Sequence, residues 1–179
     1  VGNEMVELLG FQTGSYWIMK DSSSGVLDSL VCTHESSIYH GDKSRYEHRS
    51  YRIYENPQSS QVYDAFWRID MRAENARDFS ELYFSKSTAI EGVRYSPFIS
   101  VPSQATSVMG DTEVRVAVIN GLSVNGRNFN NVYHVHYSNK NILNNQHFYI
   151  NHEVGLIKIV QDNEQRKRTL LLERWSIIH

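Results

Sequence analysis

Cysteine is nearly absent from this chain of 179 residues. Cys32 is the only one, so no intrachain disulfide and no cysteine-based zinc site can form. The length suits one domain that buries enough core to fold without such staples, and we read residues 1–179 as a single domain. Charge of one sign is also lacking. The 18 Lys and Arg against 20 Asp and Glu leave a formal net charge of −2, without the basic excess that a nucleic-acid partner would call for. The one dense basic cluster, Arg166-Lys167-Arg168, follows Asp162 and Glu164 and reads as a solvated hairpin tip. No run approaches the roughly 18 apolar residues of a membrane span, and no signal-peptide core is visible. The chain starts at Val1 rather than Met, which leaves open a targeting segment removed upstream.

Catalytic spacing is missing as well. There is no Gly-x-Ser-x-Gly elbow, and Asn120-Gly121 and Asn125-Gly126 read as hairpin turns rather than as a phosphate cradle before a helix. Asp64, Asp70 and Glu173 fall on strands with nothing to pair them. Asp70 between Arg68 and Arg72 reads as a charge ladder on one face. No cofactor motif is present, and the expectation is a protein that is not an enzyme. Cys32, between Val31 and Thr33 in a strand-like run, reads as a small buried hydrophobe.

What the chain has is aromatic strands: 11 Tyr, 7 Phe and 3 Trp, and no sustained helical stripe. Strands are predicted over 15–20 and 26–36, joined by the turn residues Asp21 to Gly25, and over 46–55, ending at Asn56-Pro57. Along 62–72, Tyr63, Ala65, Trp67, Ile69 and Met71 alternate with Asp64, Arg68, Asp70 and Arg72, broken only by Phe66, so one face is buried and the other mostly wet. A short helical turn is expected over 73–78, strand-like segments over 79–85 and 90–101, and a loop over 102–110. Val114, Val116 and Val118 alternate toward Leu122-Ser123-Val124, where Asn125-Gly126 signals a hairpin with 132–138 as its return strand. A polar link over 139–146 precedes a long strand or bent pair over 148–161 with Gly155 at its middle. A turn over 162–168 then leads to a last strand over 169–178. The fold expected is all-β: a curved antiparallel sheet, half-barrel or lipocalin-like barrel, with a two-sheet β-sandwich as the alternative, and with the first and last strands in one sheet system.

Two segments carry a resemblance. The opening, Leu8 through Gly14-Ser15-Tyr16-Trp17-Ile18-Met19-Lys20-Asp21-Ser22 and on to Asp28-Ser29-Leu30-Val31, resembles the start of small uncharacterised lipoproteins exported by Bacteroidetes-type bacteria. The closing Phe148-Tyr149-Ile150-Asn151-His152-Glu153-Val154-Gly155-Leu156-Ile157-Lys158, with Leu172-Glu173-Arg174-Trp175-Ser176-Ile177, is similar to their end. The resemblance implies an exported β domain in the cell envelope, periplasmic, outer-membrane-associated or at the cell surface, with a lipid anchor on a Cys upstream of residue 1. It implies no catalytic residue. Gly14-Ser15-Tyr16-Trp17 is also similar to the Gly-x-Trp of lipocalins, one residue out of step. Arg174 is similar to their late Arg, so a Trp17–Arg174 stack closing a barrel is a further expectation.

The candidate sites follow from these patterns. Trp17, Tyr63, Trp67, Met71 and Trp175 would line the concave side of a curled sheet and hold a small apolar or amphipathic ligand, or else simply fill the core. His134-Val135-His136 places two imidazoles on one strand face at a spacing that could chelate zinc or copper, with His147, His152, Glu153 or Asp162 as imaginable further ligands. The plainer reading is a polar sheet face between Tyr133 and Tyr137. Three functions compete: a non-catalytic envelope domain binding such a ligand or an envelope partner, a metal-dependent enzyme centred on His134 and His136, and a carbohydrate-binding β-sandwich with exposed Tyr and Trp.

Overall fold

Alternating apolar residues between turn signals build strands here, and every regular element among the described residues is one. The computed structural model describes residues 11–40, 45–55, 66–74, 105–109, 112–139, 144–162 and 167–178, with side chains over 11–32, 113, 115–139, 145–162 and 167–178. The elements are β1 (Tyr16–Asp21), β2 (Leu27–His40), β3 (Arg45–Glu55), β4 (Phe66–Glu74), β5 (Ala105–Met109), β6 (Thr112–Ile119), β7 (Leu122–Val124), β8 (Arg127–Phe129), β9 (Val132–Asn139), β10 (Asn144–Asn151), β11 (Gly155–Asp162) and β12 (Lys167–Ser176). Ten of them form one antiparallel sheet in the order β4-β3-β2-β1-β12-β11-β10-β9-β6-β5, and β7-β8 form a small second sheet. The large sheet is curved and, among the described residues, not closed. No described helix is long and apolar enough to cross a membrane.

The first and last strands lie side by side, with Trp17 opposite Trp175, so the two ends share one sheet, as expected of a chain with no linker to split it. Hydrogen bonds tie the same ends together: Gln12 N–H donates to the Ile178 carbonyl, and Ile178 N–H donates to the side-chain Oγ of Ser15 at 3.0 Å. The turn after β1 is held by Asp21, whose Oδ1 accepts from Ser23 N–H, Ser23 Oγ–H and Ser24 N–H.

Four expectations need correction. The loop expected over 102–110 contains β5, because Ala105 to Met109 is apolar and β-branched enough to pair with β6 up to Met109↔Thr112. The Asn125-Gly126 hairpin returns through the short β8 rather than through Val132 to Ser138, which instead become β9 and pair with β6. The polar link gives way to β10 from Asn144, since polar residues alternate with buried ones just as well on a half-wet strand. The helical turn proposed from Ala73 loses its first two residues to β4; its remainder, and the segments 79–85 and 90–101, lie outside the described residues. Gly155 marks a turn between two strands, the bent-pair alternative, and its positive φ of 74° is why glycine stands there.

The curvature has local causes. In β12 the residue Glu173 is extra, because Ile18 pairs with Arg174 while Met19 pairs with Leu172. In β11 the extra residue is Ile157, between Lys158↔Tyr149 and Leu156↔Ile150. Each bulge bends its strand and increases the local twist. The bulge in β12 is covered by the tip of the β7-β8 hairpin. Asn125 Nδ2 donates to the Leu172 carbonyl at 2.8 Å and Arg127 Nη1 to the Glu173 carbonyl at 3.0 Å, while Val124 and Phe129 add to the core.

Candidate functional site

Register sorts the side chains of the central strands into rows on two faces, because neighbours along a strand alternate and directly paired residues share a face. On the inner face one row is Leu170, Ile159, Phe148, Val135 and Val116, all buried. Trp17, Met19, Leu30, Leu172 and Ile150 extend this wall, and Phe11 meets Trp17 edge-on at 4.9 Å.

The next inner row, toward the β9-β10 and β11-β12 connections, changes character. It reads Arg168, Gln161, Gln146 and Tyr137 across four adjacent strands. Gln161 and Gln146 are only 3 % and 7 % exposed. Arg168 Nε donates to Gln161 Oε1 at 2.6 Å, and Arg168 Nη1 lies 3.3 Å from Asp28 Oδ2, on β2. The guanidinium of Arg168 and the carboxylate of Asp28 are both largely covered, so each depends on the other for compensation. Asp21 stands nearby. Hydrogen bonds from Ser23 and Ser24 hold its carboxyl below the ordinary value, and Arg168 adds to the same effect. Arg168 is therefore not part of a solvated tip, contrary to what its sequence neighbourhood suggests, whereas Lys167, paired with Asp162 at 3.1 Å, is exposed, and Arg166 lies outside the described residues.

The sequence-derived ligand residues separate on this frame. Trp17 has no exposed surface, and its indole N–H donates to the Val154 carbonyl at 2.6 Å, so it is packed as core. Trp175 is half-buried, edge-on to Phe129 at 6.4 Å, with the Arg127 guanidinium 4.9 Å from its ring centre. The expected stack of Arg174 on Trp17 is replaced by this Arg127–Trp175 pair. Ile18, not Trp17, is the residue opposite Arg174, and Arg174 is exposed. Trp67 and Met71 lie on β4 opposite Ile53 and Arg49, with side chains outside the described set, and Tyr63 lies outside the described residues.

The outer face carries the histidines. His134 and His136 share it, as their spacing requires, and register brings His147 directly opposite His136 and Tyr149 directly opposite His134. The rings stack in pairs, His136 on His147 at 4.3 Å and His134 on Tyr149 at 4.5 Å, with interplanar angles of 3° and 8°. Across the diagonal His134 Nε2 lies 2.9 Å from His147 Nδ1, one donating and the other accepting according to tautomer. His136 Nε2 contacts Asn145 Oδ1. Burial, then the neighbouring His136, then Lys158 lower the pKa of His134. The same causes, with His134 added, push His147 down to about 4, so His147 is a neutral imidazole at pH 7. Burial raises the Tyr149 phenol, and Lys158 Nζ sits 5.0 Å from the centre of that ring.

Of the further ligands imagined for His134 and His136, only His147 is in contact with them. His152 and Glu153 form an exposed pair in the β10-β11 turn, and Asp162 pairs with Lys167. As the rings are placed, no group of three or more His, Cys, Asp or Glu among the described residues converges as a ready-made metal site.

The inner polar row escaped sequence reasoning although a signal existed. Gln146 falls in step with Phe148 and Ile150, and Gln161 with Ile159, so both glutamines keep the parity of the core. Comparison with protein-family models, with curated proteins and with solved structures finds no match to this chain.

Proposed function

We propose that this chain is a non-catalytic binding domain of an exported cell-envelope lipoprotein, holding a small amphipathic ligand against the inner face of its curved sheet. The observation that carries the reading is the pair of adjacent inner rows. The apolar row Leu170, Ile159, Phe148 and Val135 runs beside the polar row Arg168, Gln161, Gln146 and Tyr137. Burying amides and a guanidinium costs free energy that a sheet closing on its own core avoids by using apolar residues. A wall that is apolar along one row and hydrogen-bonding along the next matches a ligand with a hydrocarbon part and a polar head. These side chains are buried and partnered within the protein, so a ligand entering here displaces what covers them: its head takes over contacts of Gln146, Gln161 and Arg168, and its tail lies along Ile159 and Phe148. The envelope location and the lipid anchor rest on the resemblance of the two ends of the chain to exported lipoproteins.

Native mass spectrometry of gently purified protein, combined with titration of a fluorescent fatty-acid probe, tests the ligand. The expected result is a co-purifying small molecule or saturable probe binding. The double variant Asp28→Asn, Arg168→Met, which removes both charges and leaves neither one stranded, weakens probe binding about tenfold, the loss of one charge-assisted contact. Empty wild-type protein that binds no probe would overturn the reading.

A further inference from the structure

We infer that the outer face carries a second, separate site, in which His134, His136 and His147 bind one divalent transition-metal ion of the zinc and copper class. The inference starts from backbone placement. The His-x-His pair on β9 gives two imidazoles on one face, and the β9-β10 register sets a third directly across from His136 and diagonal to His134. Three imidazoles on two hydrogen-bonded strands form a compact all-nitrogen donor set. Such a set suits zinc, copper and nickel and is a poor match for calcium or magnesium, which take oxygen ligands.

Two details of the side chains point the same way. His136 Nε2 is bonded to the side-chain oxygen of Asn145, which fixes its N–H there and leaves the lone pair on Nδ1. A ligating histidine is commonly held in this way, with its other nitrogen donating to an oxygen that orients the ring. His134 Nε2 and His147 Nδ1 already lie 2.9 Å apart, so the hydrogen bond between them occupies the space where two ligand nitrogens would share an ion. In the metal-free arrangement these nitrogens point at one another. Binding requires the rings of His134 and His147 to turn about their side-chain bonds until the lone pairs converge.

The surroundings set the character of the site. Lys158, placed over Tyr149, opposes a cation and moderates affinity, and Tyr149, stacked on His134, limits how far that ring can turn. Three protein nitrogens leave coordination positions for water. The site lies on the face opposite the proposed amphipathic ligand, so each can fail without the other.

Chelator-treated protein titrated with zinc sulfate alone, and separately with copper sulfate alone, by calorimetry tests the inference. One ion per chain is expected, with affinity falling about tenfold or more in His136→Ala and again in His147→Asn, while His152→Asn, in the exposed turn, leaves it unchanged. Long-range nitrogen NMR of the wild-type protein reads the same event without any variant: on adding zinc, the imidazole resonances of His134, His136 and His147 shift together and that of His152 does not. Absence of stoichiometric binding, or binding that moves His152 and spares His147, would overturn the inference.

Discussion

Gly155 shows how much one residue can decide. Its φ of 74° favours glycine, and a Cβ added there would lie 2.7 Å from Phe11 Cζ and 3.0 Å from Trp17 Cζ2, atoms that are themselves packed in the core. Gly155→Ala is expected to cost on the order of 2–5 kcal/mol, combining backbone strain with overpacking, as measured by urea denaturation. A loss below about 0.5 kcal/mol would show that the Phe11–Trp17 contact yields easily. Cys32 offers a second check at this scale. Burial pushes its thiol up to about 12, and the reactive form is the thiolate, so the folded protein at pH 8 should leave a thiol reagent unreacted and release one equivalent only in denaturant. Rapid stoichiometric reaction of the native protein would contradict its place in the core. At this scale the sequence was informative about apolar residues: the strand-like run around Cys32 pointed to a buried thiol. It was misleading about Arg168, whose partner Asp28 lies 140 positions away in the chain and cannot be inferred from neighbours.

At the scale of elements, turn chemistry was the most legible feature and pairing partners the least. Asn125 and Gly126 both have positive φ, 48° and 76°, the backbone of the two-residue hairpin that their identities signal. That the hairpin would be short, and would dock over the β12 bulge, was hidden, because the bulge arises from how Ile18 and Met19 meet β12 and not from a local residue preference. Asn125 therefore has two tasks, holding the turn and donating to the Leu172 carbonyl. Asn125→Ala should cost about 1–3 kcal/mol, while Asn125→Gly, which keeps the turn and loses only the hydrogen bond, should cost less, both read from thermal melts. Equal losses in the two variants would mean that the docking bond, and not the turn, sets the stability of the hairpin. The β9-β10 pair makes the same point for the histidines. The spacing of His134 and His136 told that they share a face, but only the register told that His147 completes the group.

At the scale of the whole molecule, the all-β character followed from the absence of any helical stripe together with strand signals at short intervals, and the place of the first and last strands in one sheet system followed from a chain with no linker to split it, whereas their direct pairing was not legible. The strand order was not legible, since β9 turns away from the adjacent hairpin to pair with β6 and β10. What the order produces is a sheet whose two faces differ in chemistry. The inner face grades from an apolar wall to a buried polar row, and the outer face carries stacked imidazoles and a phenol. The central claim is that the polar row exists to meet a ligand. The most direct test is NMR titration of the protein with a fatty-acid ligand, following the side-chain amides of Gln146 and Gln161 and the Nε–H of Arg168. The account predicts that these three signals shift first and saturate together while the imidazoles on the outer face stay still; signals that do not move, or shifts confined to the outer face, would contradict it.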